Sequence, residues 1–394
     1  MIRTIIIFSI GLLYCHSTYS QTISDSLKQE LSSLIEASAI PGLGVSIVGE
    51  KGVLFCEGFG LRDRQQNLAY DAESVQSVAS ISKTIIAIAL MKLVEQGKLD
   101  LQQNINTYLP FEVINPHFPN TPIRILHLAT HSSSIQETNV ADNKAYLILD
   151  READKSIFPR GHYRFYKRYL KNDHQALGAY LQSFLAAEGE NYKKKNFGKY
   201  QPGTQYSYTN VGASLAAYLI EIVSGQSFET FTQEQIFDPL AMSHTQWRKS
   251  DSPNLSKQYF LNGMAAPAYT LLTWPSGALH TSSEDMGKFL FEILKGYQGQ
   301  GKLLSPKSYQ YMLENHLDLT LSNKQNGIFW EIDPDGNIGY GGAEIGTACQ
   351  LIYSPSLNKG FFMMINMTVY DVPQLEGDFV SILQCLSKYA KKLD

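Results

Sequence analysis

The chain has 394 residues, 18% of them charged, and a net charge of -4. That length holds one large or two ordinary domains. The charge gives no general argument for nucleic-acid binding, and beyond the first 20 residues no stretch is long and apolar enough to cross a bilayer.

Arg3 and the apolar core Thr4 to Tyr14, followed by Thr18-Tyr19-Ser20, read as a signal peptide over 1–20. The mature chain then starts near Gln21, in the periplasm or outside the cell. Cys15 supports a rival reading, a lipid-anchored protein. A bulky Tyr14 stands where that signal wants a small residue, so plain export is favoured. Cys56, Cys349 and Cys385 remain after cleavage. Their spacing matches no metal site, and small buried hydrophobes are the ordinary reading. No disulfide among them is assignable.

Ser24 to Ala39 patterns as an amphipathic helix, and Gly44–Val48 and Val53–Gly60 as a hairpin. Next comes Ser80-x-x-Lys83, opening the apolar run Ile85 to Leu90 with Gly97 as a stop. Residues three apart share a helix face, so the hydroxyl and the amine can meet at a helix N-terminus. The free N–H groups there favour an oxyanion. Alone the motif is weak, because a serine at a helix start is ordinarily a cap. Helical patterns dominate to Met242, with short helices at Ile123–Thr130 and Val211–Ile220. Residues 136–200 read as an insertion. Between 151 and 200, 11 Lys/Arg stand against 5 Asp/Glu, a solvated surface or a basic rim for an anionic polymer. Ser282–Leu294 is a helix. Gly327–Ile332, Ala348–Tyr353 and Gly360–Asn366 are strands, and Phe379–Leu393 closes the chain as a helix. The fold class is therefore α/β (α+β): an antiparallel sheet built from both chain ends with terminal helices, over 21–79 and 250–394, beside a helical lobe over 80–249.

Three further stretches, in order, make the chain resemble the serine beta-lactamase and penicillin-binding-protein family, in its class C branch. They are Leu126–Ser134, Pro202-Gly203-x-x-x-x-Tyr208-x-Asn210, and Trp274–Leu279 followed by Ser282–Asp285. Ser134 and Ala241 replace usual glycines. The resemblance implies Ser80 as nucleophile, with Lys83 and Tyr208 in contact with it. Tyr208 is expected as the general base, as a phenolate favoured by the nearby ammonium; the two roles are exchangeable. Asn210 is expected to bind Lys83 or a substrate amide. The sheet strand of the family aligns with Gly339–Gly346. Tyr340 stands where a lysine or histidine is usual, which argues against efficient penicillin hydrolysis. Tyr340, Gly341, Gly342 and Ala343 are expected to orient substrate, the glycines letting its backbone approach, with the N–H groups of Ser80 and Ala343 as an oxyanion hole.

His127 and His131 lack the glutamate of a His-Glu-x-x-His motif, Gly44–Val48 is no nucleophile elbow, and no phosphate loop or dinucleotide fingerprint appears. No cofactor and no metal is expected. The expected activity is that of an exported serine hydrolase acting through an acyl-enzyme on an ester or amide, as an esterase or D-amino-acid-type peptidase. The partner is then a small-molecule or peptide substrate, including a cell-wall fragment. The alternatives are a class C-like beta-lactamase and a catalytically weak binding protein on the same fold.

Overall fold

The computed structural model describes residues 22–138, 145–159, 162–248, 252–317, 325–369 and 372–394. The signal peptide expected at 1–20 lies outside the described residues. Helix α1 covers 22–37. The strands in chain order are β1 Gly42–Gly49, β2 Gly52–Asp63, β3 Leu68–Ala69, β4 Gln76–Ser77, β5 Tyr146–Ile148, β6 Gln246–Trp247, β7 Tyr269–Leu271, β8 Leu279–Thr281, β9 Gln325–Asn326, β10 Glu331–Ile332, β11 Ile338–Glu344, β12 Thr347–Ser354 and β13 Lys359–Ile365. The further helices are α2 Ser82–Glu95, α3 Ile125–Ala129, α4 His162–Tyr169, α5 Leu177–Leu185, α6 Asn210–Ser224, α7 Phe228–Thr232, α8 Ser283–Tyr297, α9 Pro306–Leu313 and α10 Pro373–Ala390.

Eight strands form one antiparallel sheet in the order β3-β2-β1-β13-β12-β11-β10-β9. Leu43 pairs with Ile365, so the two ends of the chain meet in its middle. Side chains alternate across a strand. Leu43, Val45 and Ile47 of β1 pack with Leu27 and Leu31 of α1 and Ile382 and Leu386 of α10. On the other face Gly44 and Ser46 are small because α8 lies close. A Cβ added at Gly44 would stand 3.2 Å from Ser283 Cβ.

Helix α2 is the centre of the second core. Every residue from Ser82 to Met91 is buried, as its apolar, unstriped sequence requires. Burying each of its isoleucines contributes about 1.5–3 kcal/mol. α2 packs on α6, whose Val211, Leu215 and Leu219 are fully buried in the same core. Helix α6 ends at Gly225, whose φ of 73° takes the left-handed turn that glycine permits.

One expectation changes. Gly327–Ile332 is not one strand: the chain leaves the sheet after Asn326 and rejoins it at Glu331. Ile328, Phe329 and Trp330 are all buried, in a packed loop outside the ladder. Phe329 takes φ 51° and donates its N–H to Ala129 O at 2.8 Å, while Ile328 N–H donates to Met312 O at 2.9 Å. Within the stretch expected as an insertion, β5 pairs with β7 as a separate two-stranded sheet, Tyr146 opposite Leu271.

Candidate active site

Ser80 does not open the long helix. It sits in a single 3-10 turn, Ala79–Ile81, immediately before α2. Ala79 holds φ 47°, a conformation that costs a non-glycine residue about 1–2 kcal/mol. Its neighbours impose it. Ala79 N–H donates to Ser77 Oγ at 3.2 Å, and Ser82 Oγ donates to Ala79 O at 2.5 Å. Strain held this firmly is concentrated at functional positions.

The turn brings side chains of two distant segments together. Ser80 Oγ lies 2.6 Å from Tyr208 OH and 3.1 Å from Lys83 Nζ. Lys83 Nζ also donates to Asn210 Oδ1 at 2.8 Å and to Ser276 O at 2.7 Å. Tyr208 OH is 3.4 Å from Asn210 Oδ1. Ser80, Lys83, Tyr208 and Asn210 thus form one connected group. Burial pulls the Lys83 ammonium down to about 7, against the opposing fields of Glu344, Glu137 and Glu331. Burial pushes the Tyr208 phenol up, and the Ser80 hydrogen bond only partly offsets it. The phenolate expected from the nearby ammonium is therefore disfavoured, since desolvation outweighs the attraction of a lysine that has itself lost most of its preference for charge.

Tyr208 reaches Ser80 from an irregular loop. That loop is bound to the turn after α3: Gly203 N–H donates to Ser132 O, and Ser207 N–H to His131 O, both at 2.7 Å. The His131 ring lies 4.6 Å from that of Tyr208, and its Nε2 faces Tyr340 OH at 3.0 Å. His127 instead accepts from Arg124 N–H, and burial pulls its imidazole down to about 4. Ser134 and Ala241, noted in place of glycines, adopt φ 67° and 54°, the left-handed region glycine favours.

On β11 the residues expected to orient substrate have their own contacts within the chain. Tyr340 is buried and its hydroxyl meets His131, so it backs Tyr208. A Cβ at Gly342 would strike Val78 O at 2.3 Å and stand 3.3 Å from Ser80 N. The bare backbone at Gly342 lets the Ser80 turn approach the strand. Gly341 faces Gln350 on the other side. Ala343 pairs with Ala348, one residue beyond this contact.

Four participants were not singled out from the sequence. Glu137 accepts from Asn210 N–H at 2.6 Å, Val211 N–H at 3.4 Å and Thr209 Oγ1 at 2.9 Å, capping α6 where Asn210 begins it. Ser276 supplies its carbonyl from the return segment. Glu344 receives the Tyr146 hydroxyl, and burial pushes its carboxyl up to about 7. Only the spacing of the return segment signalled Ser276. Nothing in sequence links 137, 146 and 344.

Comparison with known proteins places this geometry. The model of the Beta-lactamase family matches residues 27–380. Protein flp of Staphylococcus aureus (strain MRSA252) is 20% identical over 372 residues, covering 90% of this chain; the chain spans 66% of that protein's length. The octameric penicillin-binding protein homologue from Pyrococcus abyssi superposes with a TM-score of 0.68 at 20% identity, over 91% of this chain and 77% of that one. The penicillin-binding protein from Bacillus halodurans gives 0.64 at 20% identity, over 93% and 99%. At these identities the two structures speak for the fold. With the family model spanning nearly the whole chain, sheet, helical lobe and Ser80 turn included, the chain belongs to the beta-lactamase family.

Proposed function

We propose that the protein is an exported serine hydrolase that cleaves an ester or amide through an acyl-enzyme on Ser80. The observation that carries this is the contact of Ser80 Oγ with both Lys83 Nζ, at 3.1 Å, and Tyr208 OH, at 2.6 Å. Lys83 is the better base. Its two other partners, Asn210 Oδ1 and Ser276 O, are acceptors and take N–H bonds. A neutral amine then turns its lone pair to the Ser80 hydroxyl. Tyr208, held as a neutral phenol, donates to Ser80 Oγ.

In acylation Oγ bonds the carbonyl carbon, the π electrons move to oxygen, and the hydroxyl proton passes to Lys83. The Ser80 and Ala343 N–H groups receive the oxyanion; one such donor is typically worth about 3 kcal/mol of barrier. Collapse breaks the bond to the leaving oxygen or nitrogen, which takes a proton through Tyr208, resupplied from Lys83. Water repeats the sequence to release the acid and restore Ser80.

A fluorophosphonate probe tests this. Mass spectrometry of the adduct is expected to find it on Ser80 and to lose it in Ser80→Ala. Folded protein that no such probe labels refutes the proposal and favours a binding role. Ester turnover is expected to exceed nitrocefin turnover, because Tyr340 brings no charge for a substrate carboxylate. The reverse order makes the chain a beta-lactamase.

A further inference from the structure

Glu344 takes no part in the acyl transfer just described, yet it stands inside the site. It is the last residue of β11, directly after Ala343. Its Oε2 receives the Tyr146 hydroxyl. The Tyr146 ring is stacked on Tyr169 at 4.7 Å and tilted against Tyr269 at 5.6 Å, so the holder is rigid. The other oxygen lies beside Gly277, which also borders the catalytic turn. A side chain built on Gly277 would meet Glu344 Oε1 at 3.7 Å and the Ala79 carbonyl carbon at 3.9 Å. Among the charges that act on Lys83, Glu344 is the strongest, followed by Glu137 and Glu331. The Lys83 nitrogen is already surrounded by Ser80, Asn210 and Ser276.

We propose that Glu344, held by Tyr146, selects the acyl donor: it receives an ammonium group carried on the acyl side of the ester or amide and repels a carboxylate there. The preferred substrates are then aminoacyl-type donors. This rests on Ser80 being the acyl acceptor. Burial and the ammonium act in sequence. The buried carboxyl ionises reluctantly on its own, and an arriving cation favours its charged form.

The test uses the mature protein and three p-nitrophenyl alkylphosphonates of equal chain length, ending in ammonium, methyl or carboxylate. Each phosphonylates the serine with release of p-nitrophenolate, and mass spectrometry locates the adduct. Second-order rates are expected in the order ammonium, methyl, carboxylate, with steps on the order of tenfold, between the bulk-water and near-surface limits for charges a few ångströms apart. In Glu344→Gln the ammonium-to-methyl ratio is expected to fall toward one. Tyr146→Phe, which keeps the ring and removes only the hydroxyl, is expected to reduce the same ratio and serves if the first variant does not fold. Ser80 labelled with methyl or carboxylate fastest, or with the ratio unchanged in both variants, overturns the selection by Glu344 and leaves the hydrolase standing. Failure of every probe to label Ser80 removes the hydrolase and this inference together.

Discussion

Lys83 is the residue on which the chemistry turns, and its protonation sets a pH profile. A base must be neutral to accept the Ser80 proton, and Lys83 loses its charge near 7. Ester kcat/KM is therefore expected to rise with pH through about 7 and then level off. A profile still climbing above pH 9 would instead assign the proton to Tyr208, whose phenol is held above its ordinary range. Tyr208→Phe is expected to lower acylation by roughly 10²–10⁴-fold, the usual share of a positioned acid, read by stopped-flow burst kinetics. Two left-handed residues make a contrasting pair. Ala241 is exposed, with φ 54°, and its side chain holds nothing in place. Ala241→Gly is expected to raise stability by about 0.5 kcal/mol, the relief of strain less the added freedom of the unfolded chain. Ser134→Gly gains less in the same denaturation experiment, because Asn115 Nδ2 donates to Ser134 Oγ at 2.9 Å. Both departures from glycine were legible in the sequence. Their meaning was not, since φ is set by the chain path.

Among the elements, α6 shows how a segment without a motif controls one with a motif. Its first residue is Asn210, and its N-terminal amides end on the Glu137 carboxylate. Glu137→Gln weakens this cap by about 1 kcal/mol. It is expected to lower both the denaturation midpoint and kcat, since Asn210 and Tyr208 shift together. Helix α2 was readable because its residues are apolar on every side. Ile88, fully buried there, is expected to cost about 2–5 kcal/mol as Ile88→Ala. Strands β12 and β13 were also readable, from apolar runs between turn residues. Gly327–Ile332 misled for the same reason, because a short buried run has no period to separate a strand from a packed loop. The Ser80 turn was read as a helix start, since a 3-10 turn of three residues carries no periodicity of its own.

For the whole molecule, the class of fold followed from the order of its patterns: strands, helices, then strands again. The catalytic group was legible where spacing is local, as in Ser80 with Lys83 and Tyr208 with Asn210. Glu137, Tyr146 and Glu344 escaped because they meet only after the chain has folded, across separations that no motif spans. The meeting of β1 with β13 has a consequence for how the molecule comes into being. Strand β13 lies between β1 and β12, so neither half of the sheet can join the other before residues 359–365 are present. Such distant pairing is slow, because a long loop must close before any contact rewards it. A polypeptide still emerging from the ribosome therefore has β1 paired on its β2 side alone until β13 is made. A version ending at Ser354 is expected to show no cooperative unfolding transition by circular dichroism, although it retains Ser80, Lys83, Tyr208 and Asn210.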